Sequence, residues 1–149
     1  MAHKLGGEFH IPHGRANAIL LPYIIEYNGV LNPSKFAIFP KYDHYVAAEK
    51  YAEIAAFLGL PAKTPEEGVK SLVEAVRELM KDLACPMTIA ECGIDEKEFM
   101  AGLDKLSDMA FSDQCTTANP RLPLVSEIKE IYKKAFYGEE KYNQLNATK

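Results

Sequence analysis

The sequence predicts an all-α protein, a multi-helix bundle, and three observations carry that prediction. Apolar residues recur at helical spacing along most of the chain. Two capping boxes open helices, at Thr64–Glu67 and at Asp95–Glu98. No stretch alternates apolar and polar residues as a half-buried strand does, and no glycine-rich strand–turn–helix segment of the dinucleotide-binding kind is present. A Rossmann-like domain is therefore not expected within these residues.

Pro12 and Gly14 punctuate the start, and a helix is expected over about 14–27. Its run "ANAILLPYII" is apolar nearly all round, which predicts burial on several sides. The run is too short to span a bilayer and lacks a small-residue cleavage site, so it reads as core and not as a leader. Residues 28–44 form a loop broken by Gly29, Pro33 and Pro40. A second helix, about 45–58, puts Ala48, Tyr51, Ile54, Ala55 and Leu58 on one face and ends at Gly59. Thr64 as N-cap and Pro65 as first helical residue open a third helix. Val69, Leu72, Val73, Val76, Leu79, Met80 and Leu83 follow on one stripe. Pro86 begins a short piece that Gly93 closes. Asp95 caps the next helix, with Phe99, Leu103, Leu106 and Ala110 inward. Residues 112–123 are a polar loop, and Val125, Ile128, Ile131, Tyr132 and Ala135 mark the last helix. Residues 1–138 thus read as one helical domain and 139–149 as a polar tail that frays.

Composition narrows the function classes. The chain has 149 residues, 48% apolar and 26% charged, and one core of ordinary size is within reach. A net charge of −4 argues against a general nucleic-acid binder, and no segment suits a membrane. Cys85, Cys92 and Cys115 are odd in number and contain no CxxC, which fits reduced thiols in a cytoplasm and gives no thiolate metal site.

Three of the four histidines, His3, His10 and His13, fall near the start. Imidazole ligates iron, zinc, copper and nickel. Their spacing matches no standard metal motif, so ligands and plain surface or hydrogen-bonded histidines both remain open. Pro12 keeps His10 and His13 out of one regular helix. His13 stands at a helix entrance beside Gly14, where a side chain can face a cleft. His44, next to Asp43, reads as a surface residue. Cys115 has no histidine neighbour in sequence and reads as non-nucleophilic. Asp113, Asn119 and Arg121 read as residues that hold the 112–123 loop by hydrogen bonds.

The surroundings of these histidines carry a resemblance. "MAHKLGGEFHIPHGRANAILLPYIIEYN" resembles the second signature of the iron-containing alcohol dehydrogenases, in which A-H-x-L-G leads to P-H-G-x-A-N-A and an apolar helix. It continues through "KYAEIAAFLGL" and "DKLSDMAFSDQCTTANPRLPLVSEIKEIYKKAFYG", over nearly the whole chain. The wording looks most like the C-terminal alcohol dehydrogenase part of bifunctional aldehyde–alcohol dehydrogenases, so the chain is expected to be a C-terminal fragment. Met1 then corresponds to a methionine inside the motif. Arg15 and Thr117 depart from the pattern, at positions where a small or apolar residue and a glycine are usual. Neither removes a ligand.

The resemblance implies a fold and roles. The fold is most of the helical metal-binding domain (dehydroquinate synthase-like), without its first helices and without the Rossmann-like domain. In the family one Fe2+, or Zn2+ in some members, is held by an aspartate and three histidines. His13 matches a ligand. His3 matches a residue beside the nicotinamide and substrate, and so a catalytic proton relay that also contacts the cofactor. His10 is expected to be structural or to line the cleft. The intact enzyme would use Fe2+ and NAD(H) to interconvert acetaldehyde and ethanol. This chain, with one ligand of four, is expected to bind neither group and to be inactive alone. The alternative is a non-catalytic helical assembly or interaction module, which forms a homo-oligomer or filament through its helical domains. A third reading is adventitious metal binding by His3, His10 and His13 together.

Overall fold

The computed structural model describes residues 1–35 and 44–147. The middle of the predicted 28–44 loop, with Pro40 and Asp43, lies outside the described residues, as does the end of the tail. Among the described residues there are seven α-helices and two short 3-10 turns, and no strand. No described helix is long and apolar enough to cross a membrane.

Helix α1 (Ala2–Phe9) was not anticipated. Its Gly6 and Gly7 weaken local propensity. Packing supplies the rest, since Ala2, Leu5 and Phe9 are buried on one face. Helix α2 (His13–Asn28) is the central element and touches α1, α3, α4 and α6, as its all-round apolar surface predicts. Helices α5 (Glu96–Phe111) and α6 (Val125–Tyr137) complete the main block. Phe99, Leu103, Leu106, Ile128 and Tyr132 are shut away there, with Leu5 and Ile19 from the first two helices. Phe99 stacks on Phe136 at 4.4 Å and tilts against Phe9. The Tyr132 hydroxyl donates to the Met1 carbonyl at 2.9 Å and so ties α6 to the start of α1.

Helices α3 (Ala47–Phe57) and α4 (Pro65–Asp82) form a hairpin on the other side of α2. The predicted cap is present: Thr64 Oγ1 accepts the Glu67 N–H. Glu67 reaches back to the Lys63 N–H. A small second core holds Ile25, Ala48, Ala55, Val69, Leu72 and Val73. Ile54, Leu58, Leu79 and Leu83, expected inside, are exposed. Among the described residues the hairpin packs mainly on α2, so it hides a narrower stripe than the periodicity suggests.

Asp95 caps α5 as expected, by accepting the N–H groups of Lys97 and Glu98. The expected short piece is a 3-10 turn, Ala90–Cys92, closed by Gly93 with φ +84°. The tail does not fray throughout: α7 (Glu139–Ala147) is helical. Glu139 meets Arg77 at 2.7 Å, and Arg77 also holds Glu26 at 2.9 Å, which links α7, α4 and α2.

Candidate functional site

The site forms where α1 turns into α2. His10 ends α1 in the left-handed region, φ 55°, and its N–H bonds back to Gly6. That turn brings the two helices side by side. His3 from α1 and His13 from the first turn of α2 then stack, with ring centroids 4.7 Å apart and planes 12° from parallel. Both side chains are exposed. Asn17, one turn further along α2, donates its amide to His13 Nε2 at 3.0 Å.

The 112–123 loop folds over from the far end of the sequence. It contains the 3-10 turn Gln114–Ala118 and is fixed at several points. Asp113 accepts the Cys115 N–H at 2.9 Å, pairs with Lys4 at 2.9 Å and lies 3.8 Å from His3 Nδ1. The Lys4 ammonium, then the Cys115 N–H, hold the Asp113 carboxyl well below the usual carboxylate range. Asn119 and Asn28 exchange amide hydrogen bonds, 2.9 Å each way, and this satisfies the buried Asn28 side chain. The Arg121 guanidinium lies 3.9 Å over the Tyr27 ring, donates to the Tyr27 carbonyl and reaches Glu127 at 3.2 Å. Burial, then a hydrogen bond to Glu127, pushes the Tyr27 hydroxyl far above its ordinary value. The structural roles expected of Asp113, Asn119 and Arg121 are therefore visible.

Between loop and helices runs a cleft of about 590 Å³. Ala18, Leu21 and Ile24 of α2 and Ile128 and Ile131 of α6 make its walls apolar. Asn17, Cys115 and Asn119 supply polar points along it. His13 stands beside its lining residue Gly14, and His3 beside Ala2. An apolar channel with a few polar groups and two imidazoles at its edge suits a small, mostly apolar molecule with one polar end.

The structure brings His3 and His13 together and leaves His10 at a helix end and His44 on the surface. Two contacts were missed. Asn17 on His13 follows from i,i+4 spacing and was open to view. Asp113 near His3 depends on the folded loop, and no local signal gives it.

A metal ligand uses an in-plane ring lone pair, at about 2.0–2.1 Å for zinc. Stacked, near-parallel rings cannot both aim at one ion. His3 and His13 are thus not co-ligands in this arrangement. Among the described residues, the group of metal-capable donors that converges is His3, Asp113 and Cys115, and His13 and His10 are outside it. His13 can supply one ligand, once Asn17 rotates off Nε2. The described residues do not complete a shell around it.

Comparison with known proteins gives a consistent result. Residues 1–136 match the Fe-containing alcohol dehydrogenase family, C-terminal. The chain is 54% identical over 138 residues to an aldehyde-alcohol dehydrogenase of Streptococcus pneumoniae, covering 93% of this chain and 16% of the relative. It is 47% identical to the bifunctional aldehyde-alcohol dehydrogenase of Escherichia coli K12, covering 94% and 16%. An NADPH-dependent butanol dehydrogenase of Clostridium saccharobutylicum is 44% identical, covering 94% and 32%. The iron-containing alcohol dehydrogenase structure from Thermococcus thioreducens superposes with a TM-score of 0.72 at 32% identity, over 92% of this chain and 30% of that one. The chain therefore spans about a sixth of the aldehyde-alcohol dehydrogenases it matches.

Proposed function

The chain belongs to the Fe-containing alcohol dehydrogenase family, and we propose that it is the C-terminal, metal-binding part of an NAD-linked alcohol dehydrogenase that interconverts acetaldehyde and ethanol. The observation that carries this reading is the pair of imidazoles, His3 and His13, stacked at the edge of an apolar cleft. The remaining ligands and the nucleotide fold would lie in the part of the longer relatives that this chain does not span, and without them the chain is inactive. The three free thiols suit a reducing cytoplasm.

In the assembled enzyme the iron, or zinc in its place, would supply Lewis acidity to the substrate oxygen, and the nicotinamide would carry hydride. This chain's residues do the rest. His13 would hold the metal through Nε2 as one ligand, and Asn17 positions its ring at the cleft. Leu21, Ile24 and Ile131 exclude water from the small alcohol or aldehyde. His3, exposed on one side, moves the alcohol proton between cleft and solvent.

A direct test replaces the C-terminal segment of the Streptococcus pneumoniae relative with this chain and follows NADH-dependent reduction of acetaldehyde. The chimera should be active. His13→Ala should cut its rate at least about 100-fold and deplete its iron, since even outer-shell partners of ligands are worth 10–100-fold. His3→Ala should cost about 10²–10⁴-fold, with metal retained and the pH profile altered. An inactive chimera, or a His13→Ala chimera with full metal and rate, overturns the reading.

A second reading is self-association of helical domains into a homo-oligomer or filament. Its support is an exposed apolar turn of α3, formed by Ile54, Phe57 and Leu58.

A further inference from the structure

Cys115 has no histidine near it in sequence, yet the fold delivers one. His3 from α1, with Asp113 and Cys115 from the loop, place an imidazole nitrogen, a carboxylate oxygen and a thiol sulfur all within 4.8 Å of one another. We propose that these three residues form a cation site for a zinc-class ion, separate from the one to which His13 contributes.

Donor chemistry comes first. One nitrogen, one oxygen and one thiolate sulfur suit a borderline-soft ion such as Zn2+ or Co2+, and disfavour Mg2+ or Ca2+. Geometry comes second. With ligand bonds of about 2.0–2.3 Å, tetrahedral ligand atoms sit roughly 3.3–3.8 Å apart. A nitrogen and an oxygen ligand fall at the short end of that range, and His3 Nδ1 and Asp113 Oδ2, 3.8 Å apart, need to close by only a few tenths of an ångström. Rotation of the exposed Cys115 side chain closes the remaining distance, and a water completes the shell.

The loop is prepared for this. Asp113 Oδ1 is fixed by the Cys115 N–H, Thr116 Oγ1 bonds to the Ala110 carbonyl at 2.6 Å, and the Asn28–Asn119 pair anchors the far side. Two donors therefore sit on backbone that pays little ordering entropy on binding. Lys4 Nζ, 2.9 Å from Asp113 Oδ2, holds the cation's place. An incoming ion must displace that ammonium, so Lys4 sets the affinity. Occupancy also takes up a His3 ring nitrogen, which, on the reading proposed above, silences it as a proton carrier.

The test titrates Zn2+ into the metal-stripped 149-residue chain by calorimetry, with Co2+ as a spectroscopic probe. One ion per chain is expected, and Co2+ should give a thiolate charge-transfer band. His3→Ala and Cys115→Ser should each weaken binding about tenfold or more and abolish or shift the band. Lys4→Met should tighten binding, because it removes the competitor. His13→Ala should leave the affinity in place, which separates this site from the one proposed for the intact enzyme. Both replaced donors, His3 and Cys115, are exposed, and circular dichroism checks that helicity is unchanged. No saturable uptake, uptake indifferent to Cys115→Ser, or uptake lost with His13→Ala overturns the proposal.

Discussion

In the block of α1, α2, α5 and α6, Leu5, Ile19, Phe99 and Tyr132 are closed off from solvent on every side. In the α3–α4 hairpin Leu72 and Met80 are buried, but other large residues of the predicted stripes lie open: Leu58 is 57% exposed, Leu79 58% and Leu83 65%. Both regions carry the same helical period. They differ in what covers them. A helix in the block has neighbours on several sides and can hide a wide apolar face. The hairpin meets α2 along one edge, and its two helices meet each other through small residues. A Cβ on Gly68 would come within 2.5 Å of Ala52 Cα. Ala48 and Ala55 are fully buried on the same seam. At this seam the close backbones leave room for small side chains, and the long ones that are buried, Leu72 and Met80, lie elsewhere on α4. Apolar periodicity therefore reports a helix face but not how much of that face is covered.

Substitution at the two seams sharpens this contrast. Phe99→Ala empties a site between Phe9 and Phe136 that has no exposed edge. It should cost about 3–5 kcal/mol, read as a fall in the urea midpoint by circular dichroism. A cost below about 1 kcal/mol would mean that the block is loosely packed and the contrast false. Gly68→Ala tests the hairpin. On propensity alone alanine should stabilise α4 by about 1 kcal/mol. The contact with the Ala52 backbone should reverse that sign, for a net loss of roughly 1–2 kcal/mol. A more stable Gly68→Ala protein would show that the helices have room to part.

The same contrast explains what could be read from the sequence. Capped, strongly periodic elements were legible: Thr64 and Asp95 start helices where expected, and Phe99, Leu103, Leu106 and Ala110 are all inside. Helix α1 was not, because Gly6 and Gly7 lower its propensity and only packing of Leu5 and Phe9 forms it. Helix α7 was not, because its anchor is Arg77, far away in sequence. At the site, the motif around P-H-G singled out His13 and His3, and their stacking then follows from the turn at His10. The approach of Asp113 and Cys115 to His3 needed the closed loop, whose pins, Asn28 with Asn119 and Tyr27 with Arg121, join distant parts of the chain. Local patterns gave local neighbours, and the cross-chain contacts that build a site were the part hidden from view.

The smallest expected effect is the most exacting test of the contrast. Phe57 is 90% exposed at the end of α3, with Ile54 at 47% and Leu58 beside it. If the hairpin face is open in the single chain, Phe57→Ser should change stability by no more than about 0.5 kcal/mol in dilute protein. Self-association makes a different claim about the same residue. A folded form that binds copies of itself gains stability by mass action, so its unfolding midpoint rises with protein concentration. The wild-type midpoint should then climb with concentration, and that of Phe57→Ser should stay level. A large loss in dilute Phe57→Ser protein would mean that this ring is covered within one chain, and the difference between block and hairpin would disappear. A wild-type midpoint independent of concentration would leave the face open and uncovered, and the assembly reading would fail while the contrast stood.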